Sequence, residues 1–176
     1  MFRVVLMLLL ALVVARPAAA EVVDVGPAGF SVHVTADVKA LPPAVFRTLT
    51  AEIGRWWNAD HSFSGDAASL HIDARPGGCF CETMPNGGVQ DMVVTHVMAP
   101  TTLVLRGGLG PLGSMGIDGA MEWSLREQSG RTRLELTYNV GGYAKGGFAA
   151  LAPAVDGVLA EQVARLVSFI ETGRPR

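Results

Sequence analysis

The spacing of apolar residues near the end of the chain predicts a long amphipathic helix from Pro153 to Ile170. At 100° per residue the apolar positions fall on one face, and polar positions such as Glu161 and Ser168 fall on the other. Proline suits the first turn of a helix, and Gly173 suits its end. The apolar face consists of Leu151, Val155, Leu159, Leu166 and Phe169, with one polar member, Gln162.

Upstream of this helix, apolar and polar residues alternate with the period of two that is typical of half-buried strands. Turn sequences such as Pro85–Asn86–Gly87–Gly88 separate these segments and predict hairpins, so the sheet should be antiparallel. A short helix is predicted at 44–53, after the first strand. The fold class is therefore α+β, with about six or seven strands covered by the C-terminal helix. The predicted strands are 31–36, 70–74, 79–83, 89–98, 102–106, 120–127 and 132–140.

The first twenty residues are typical of a secretory signal peptide. A basic start is followed by an apolar run at 4–15, and Ala18–Ala19–Ala20 provides the small residues of a cleavage site after Ala20. The run is short for a transmembrane helix, although an uncleaved anchor is the alternative. We expect a secreted or periplasmic protein with one domain at 21–176 and no stable membrane span after cleavage.

The charge of the mature chain excludes some classes of partner. The sequence has 14 Lys and Arg, two of which (Arg3 and Arg16) lie in the leader, and 16 Asp and Glu, so the mature formal charge is −4. Without a basic patch, nucleic acid and anionic membranes are not expected partners. The sequence does not indicate the oligomeric state.

The two cysteines, Cys79 and Cys81, lie two positions apart in a predicted strand. In an extended strand their Cα atoms would be about 6.6 Å apart, a poor geometry for a disulfide. We therefore expect two free thiols, either as small strand residues or as a pair able to bind a soft metal or a second chain. The histidines do not show metal-motif spacing, so no metal or other cofactor is expected. They are His33, His61, His71 and His96.

The order of these features resembles the helix-grip fold of the START/Bet v 1-like (SRPBCC) superfamily, in its polyketide cyclase/dehydrase or Hsp90-ATPase-activator-homologue branch. The likeness rests on Trp56–Trp57 after a helix, Gly77–Gly78 followed by Phe80 and Glu82, the turn at Ala99–Pro100, and the late strands before the closing helix. The resemblance implies a curved sheet wrapped around that helix, with a cavity between them for an apolar or amphipathic small molecule, such as a lipid or an aromatic polyketide-like compound. A secretory leader does not fit a cytosolic cochaperone of Hsp90.

This resemblance and the strand faces together predict the residues that line the cavity. The glycine-rich connection at 107–119 should form a mobile rim, with apolar contacts from Leu109, Leu112, Met115 and Ile117. Its G-x-G-x-x-G match lacks a βαβ context, so we reject dinucleotide binding. The expected ligand-binding residues are Trp56, Trp57, Phe80, Leu105, Met121, Trp123, Tyr138, Leu159, Gln162 and Leu166.

Gln162 gives the sharpest expectation about the cavity. An unpaired buried amide costs about 1–3 kcal/mol, so this residue needs either a polar neighbour or a cavity with water or ligand. Because the resemblance puts the cavity under the helix, we expect the second. If Gln162 is instead a crosslink in a packed core, the cavity should lie nearer Trp56, Trp57 and the connection at 107–119.

Three functions fit this sequence. The first is an exported small-molecule-binding protein. The second is a cyclase, dehydratase or hydrolase in which Glu82 points inward with Phe80 and acts as an acid or base together with His96 or Tyr138. The third is a protein-interaction module without ligand, which would use the glycine-rich connection and the two tryptophans as a protein contact. A cavity filled by side chains would distinguish it from the other two.

Overall fold

One antiparallel sheet of eight strands and the helix that crosses its inner face dominate the fold. The computed structural model describes residues 19–176. Most of the predicted leader, at 1–18, lies outside the described residues. The strands are β1 (Ala19–Gly26), β2 (Gly29–Val38), β3 (Leu70–Ile72), β4 (Cys79–Met84), β5 (Gly87–Met98), β6 (Thr102–Arg106), β7 (Ile117–Gln128) and β8 (Arg131–Gly142). The helices are α1 (Pro42–Ala51), α2 (Ile53–Trp56), α3 (Pro111–Ser114) and α4 (Leu151–Thr172), with 3-10 turns at Ala59–His61 and Ala67–Ser69.

The strand order is β1-β2-β8-β7-β6-β5-β4-β3, and every neighbouring pair is antiparallel. From β3 to β8 each strand pairs with the next one along the chain, as hairpins require. The segment with α1 and α2 carries the chain from β2 to the opposite edge at β3. This arrangement confirms the predicted α+β helix-grip fold.

The sheet has one strand more than the upper end of the predicted range, because β1 was not predicted. The register of β1 against β2 shifts between Val22 and Asp24. Val23 is the extra residue at this irregularity, and it directly follows Val22 in the sequence. The strand therefore lacks the regular alternation of apolar and polar residues by which the other strands were predicted. The predicted cleavage point after Ala20 falls inside this strand, and Glu21 pairs with His33 beyond it.

The C-terminal helix was predicted correctly and extends two residues further at each end. Gly173 ends it in the left-handed conformation (φ 75°), and its N–H donates to the carbonyl of Phe169. The helix predicted at 44–53 is observed as α1 and α2, which meet at Glu52. Within residues 19–176, no helix has both the length and the apolar character needed to cross a membrane.

Side chains fill the space between the middle of the sheet and α4. The inward residues of the central strands and the buried face of the helix pack as a single core under the middle of the helix. Six of the expected ligand-binding residues are at most 3 % exposed within this core: Trp56, Phe80, Leu105, Met121, Trp123 and Leu166.

The expectation of two free thiols was wrong, because Cys79 and Cys81 form a disulfide. Their Cα atoms are 5.5 Å apart, closer than in a regular strand and within the range that a disulfide spans. The pairing of β4 with β5 shifts between Phe80 and Cys81, where Asp91 is an extra residue in β5. A β-bulge bends the paired strands locally, so the straight-strand geometry did not apply here.

Candidate functional site

The structure has a cavity at one end of the sheet rather than under the middle of α4. Its volume is about 380 Å³, and three segments enclose it: the loop after α2, the glycine-rich connection with α3, and the first half of α4. Its lining residues are Trp57, Asp60, His61, Ser62, Phe63, Leu109, Gly110, Pro111, Leu112, Met115, Leu151, Ala154, Val155, Val158 and Leu159.

Most of the cavity wall is apolar. α4 presents aliphatic side chains of its first half, including Val155 and Leu159, and the glycine-rich connection adds Leu109, Leu112 and Met115. The expectation that this connection borders the cavity through these three residues is met, whereas Ile117 lies in the core. A volume of this size falls in the range of pockets that hold small organic ligands.

Glu82 fixes the loop on one side of the cavity. Its side chain is buried, and its two carboxylate oxygens accept the backbone N–H groups of Phe63 and Ser64, at 2.8 and 2.9 Å. A buried carboxylate needs such donors to replace water. The prediction that Glu82 points inward is confirmed, but both of its oxygens hold the loop and neither faces the cavity.

Tyr138 fixes the glycine-rich connection in a similar way. Its hydroxyl donates to the carbonyl of Gly107 (2.8 Å) and accepts from the N–H of Leu109 (3.1 Å). Burial raises the pKa of this phenol to about 12. Gly107 has a φ of 153°, and a Cβ there would collide with the backbone of Asp91, so only glycine lets the connection approach β5 this closely.

Asp91, the extra residue of the bulge in β5, is a third anchor. Its side chain is 8 % exposed, and its carboxylate accepts the N–H of Gly110 at 3.1 Å. Burial raises the pKa of Asp91, the Gly110 N–H opposes that shift, and the charge of Glu82 adds to it. Asp91 belongs to none of the sequence motifs described above; its one signal is the break in alternation at Asp91–Met92, which marks a bulge.

Gln162 does not face the cavity as we expected. The side chain is fully buried, and its Oε1 accepts the backbone N–H of Asn58 at 2.9 Å, so it links α4 to the loop after α2. Within the described part of the chain, its Nε2 meets no acceptor. The amide is therefore a crosslink in a packed region, and the cavity lies near Trp57 and the glycine-rich connection, as the alternative predicted.

A polar group lies at the edge of the cavity. The imidazole Nε2 of His61 is 3.2 Å from a carboxylate oxygen of Glu161 on α4, and the other oxygen of Glu161 accepts from the side-chain amide of Asn58 at 2.6 Å. His61 also lines the cavity, next to Asp60 and Ser62. This arrangement offers hydrogen-bonding groups at one side of an otherwise apolar space.

The structure does not bring the three proposed acid–base residues to one place. Glu82 and Tyr138 are buried and bonded to backbone groups of different loops. His96 is exposed and pairs with Val104, whose side chain is on the outer face of β6. Of the expected ligand-binding residues, Trp57 and Leu159 line the cavity, and Tyr138 acts on its wall through a backbone contact.

Comparison with known proteins supports the architecture. No protein-family model and no curated protein matches the sequence. Solved structures do match. EF2215 from Enterococcus faecalis, a conserved protein of unknown function, is 15% identical with a TM-score of 0.61, over 89% of this chain and 78% of that one. CalU16 from Micromonospora echinospora is 17% identical with a TM-score of 0.58, over 89% and 86%.

A third match is the Aha1 dimer from Colwellia psychrerythraea, at 18% identity and a TM-score of 0.57, over 81% of this chain and 97% of that one. The chain has the helix-grip fold. At these identities the likeness establishes the fold alone, so function has to be argued from the cavity and its residues.

Proposed function

We propose that this protein is an exported small-molecule-binding protein of the START/Bet v 1-like superfamily. Its ligand is apolar with one polar end, and it occupies the cavity between the first half of α4, the glycine-rich connection and the loop after α2. The observation that carries the proposal is an apolar cavity of about 380 Å³ with its polar side chains grouped at one side.

The distribution of apolar and polar side chains in the cavity wall favours one orientation of the ligand. Aliphatic side chains from α4 and the glycine-rich connection favour burial of the apolar body, since apolar area removed from water stabilises a complex. The polar end then lies beside Asp60, His61 and Ser62. His61 can donate to or accept from that end, while Glu161 orients the imidazole from the other side.

Three anchors from the sheet support the binding role over an acid–base role. Glu82, Asp91 and Tyr138 are the buried side chains that could act as acids or bases, and each is hydrogen-bonded to backbone groups of the loops around the cavity. Glu82 uses both carboxylate oxygens in this way, Asp91 uses one, and Tyr138 uses its hydroxyl. Such contacts pre-form a cavity before the ligand arrives, which lowers the entropic cost of binding.

A pair of matched substitutions on α4 tests this proposal. Ala154 and Ala164 are both exposed alanines of α4, but only Ala154 lines the cavity. Ala154→Trp should place an indole in the cavity and weaken binding of the fluorescent probe 1-anilinonaphthalene-8-sulfonate by at least about tenfold. Ala164→Trp should bind the probe like the wild type.

Two results would overturn the proposal: a folded wild-type protein that binds neither the probe nor a medium-chain fatty acid, or equal probe affinity for the two variants. Export is tested separately on protein recovered from the periplasmic fraction. Its N-terminal sequence should begin near Glu21, and membrane-retained protein that begins at Met1 would contradict export.

A further inference from the structure

Three metal-ligating side chains meet on the outer face of the sheet, away from the cavity. A ring nitrogen of His71 and the sulfurs of Cys79 and Cys81 all lie within 4.8 Å of one another. His71 is exposed, and the two cysteines are partly exposed, so solutes can reach the group. The cavity and its three anchors do not use these residues.

Strand pairing explains why His71 meets the two cysteines although it lies eight positions before Cys79 in the sequence. His71 in β3 is the register partner of Cys81 in β4, and directly opposed residues on one sheet face have close Cβ atoms. Cys79 lies two residues before Cys81 and shares its face. Phe80 and Glu82, which alternate with them, are buried on the inner face.

The disulfide alone is a weak explanation for this group. Cys79 and Cys81 have a sequence separation of 2. Closing so short a loop removes little conformational entropy from the unfolded chain, so the bridge stabilises the fold less than a long-range one would. It also leaves the adjacent exposed histidine without a role. Two sulfurs and an imidazole are, however, the donor set that zinc prefers.

We propose that the reduced form of the protein binds Zn²⁺ through His71, Cys79 and Cys81, and that the disulfide is the metal-free state of the same site. A dithiol reductant transfers two electrons and two protons to the disulfide and is itself oxidised to a disulfide. Zn²⁺ then displaces one proton from each thiol and binds the two thiolates and the neutral imidazole. Thiol–disulfide exchange with a disulfide oxidant, which takes the two electrons and two protons and becomes a dithiol, re-forms the bridge and releases the ion.

The two sulfurs have to separate when zinc binds. They are bonded to each other in the disulfide, whereas tetrahedral zinc with Zn–S distances of about 2.3 Å holds its two sulfurs about 3.8 Å apart. Both cysteines lie on the same strand face with Cα atoms 5.5 Å apart, so side-chain rotation can supply this separation. The carboxylate of Asp73, two residues after His71, is 2.8 Å from the guanidinium of Arg75. Among the described residues the group has three ligands, which leaves the fourth coordination position to solvent or to an added ligand.

Metal titration of the reduced and the oxidised protein tests the proposal. After treatment with a phosphine reductant and its anaerobic removal, Co²⁺ should bind at one equivalent and give a near-ultraviolet thiolate-to-cobalt charge-transfer band. Zn²⁺ should abolish that band by displacement. The oxidised protein should give no band, and circular dichroism should show the same fold in both states.

Variants separate a three-ligand site from simple chelation by two thiols. His71→Ala should weaken zinc affinity more than about tenfold, since even outer-shell partners of a metal site have effects of that size. His96→Ala, an exposed strand histidine outside the group, is the matched control and should bind normally. Cys81→Ser should lose the charge-transfer band.

Three outcomes would overturn the proposal. The first is reduced wild-type protein that binds no Co²⁺ or Zn²⁺, and the second is wild-type zinc affinity in His71→Ala. The third is unfolding of the protein on reduction, because the site depends on pairing between β3 and β4.

Discussion

Removal of one oxygen atom, in Tyr138→Phe, should loosen one wall of the cavity. The phenol hydroxyl holds Gly107 at 2.8 Å and Leu109 at 3.1 Å, and phenylalanine keeps the ring while it deletes both bonds. Each buried group left without a partner costs about 1–3 kcal/mol. Because Gly107 and Leu109 are only partly buried, we expect a total loss near the middle of that range, about 2 kcal/mol.

That loss can be measured in two ways. For a domain of this size, each 1 kcal/mol lowers Tm by about 2–4 °C, so Tyr138→Phe should melt about 4–8 °C below the wild type. Urea denaturation should show a lower midpoint at an unchanged slope. Amide hydrogen exchange should become faster at Leu109, whose N–H loses its acceptor, and probe affinity should fall because the connection is no longer fixed.

The chain supplies its own control, since Tyr143 is its only other tyrosine. Its side chain is 76% exposed, so Tyr143→Phe should change the free energy of unfolding by no more than about 0.5 kcal/mol. In that variant the remaining phenol should titrate with a pKa of about 12. If Tyr138→Phe is as stable as Tyr143→Phe and exchange at Leu109 is unchanged, the hydroxyl is not an anchor.

Two further substitutions test the other contacts by urea denaturation. Gln162→Leu removes the acceptor of the Asn58 N–H and should destabilise the fold by about 1 kcal/mol or more; an unchanged midpoint would contradict the crosslink. The pKa of Asp91 is raised in the folded state above its ordinary value of 3.8. The protonated carboxyl group therefore stabilises the fold fully below pH 3.8, and this stabilisation is lost as the pH rises through the folded-state pKa. Asp91→Asn should therefore be more stable than the wild type at neutral pH, and this advantage should shrink in acid; a pH-independent difference would refute it.

The sequence by itself determined most of the elements and the order in which they follow one another. Apolar periodicity located α4, and alternation with turn residues located seven of the strands, because each of these signals is local and depends on which face of an element is buried. The irregular strand β1 lacks that signal, since its register shift breaks the alternation. The inward direction of Glu82 also followed from alternation alone.

Only the tertiary structure decided what the inward polar residues do. Glu82, Tyr138 and Gln162 each bond to backbone groups more than fifteen residues away, and nothing local in the sequence indicates which loop will supply the partner. For the same reason the position of the cavity depends on where three distant segments meet. The disulfide and the His71–Cys79–Cys81 group likewise depend on a bulge and a strand register. Alternation predicts which face a side chain takes, whereas its partner depends on how strands and loops pack in three dimensions.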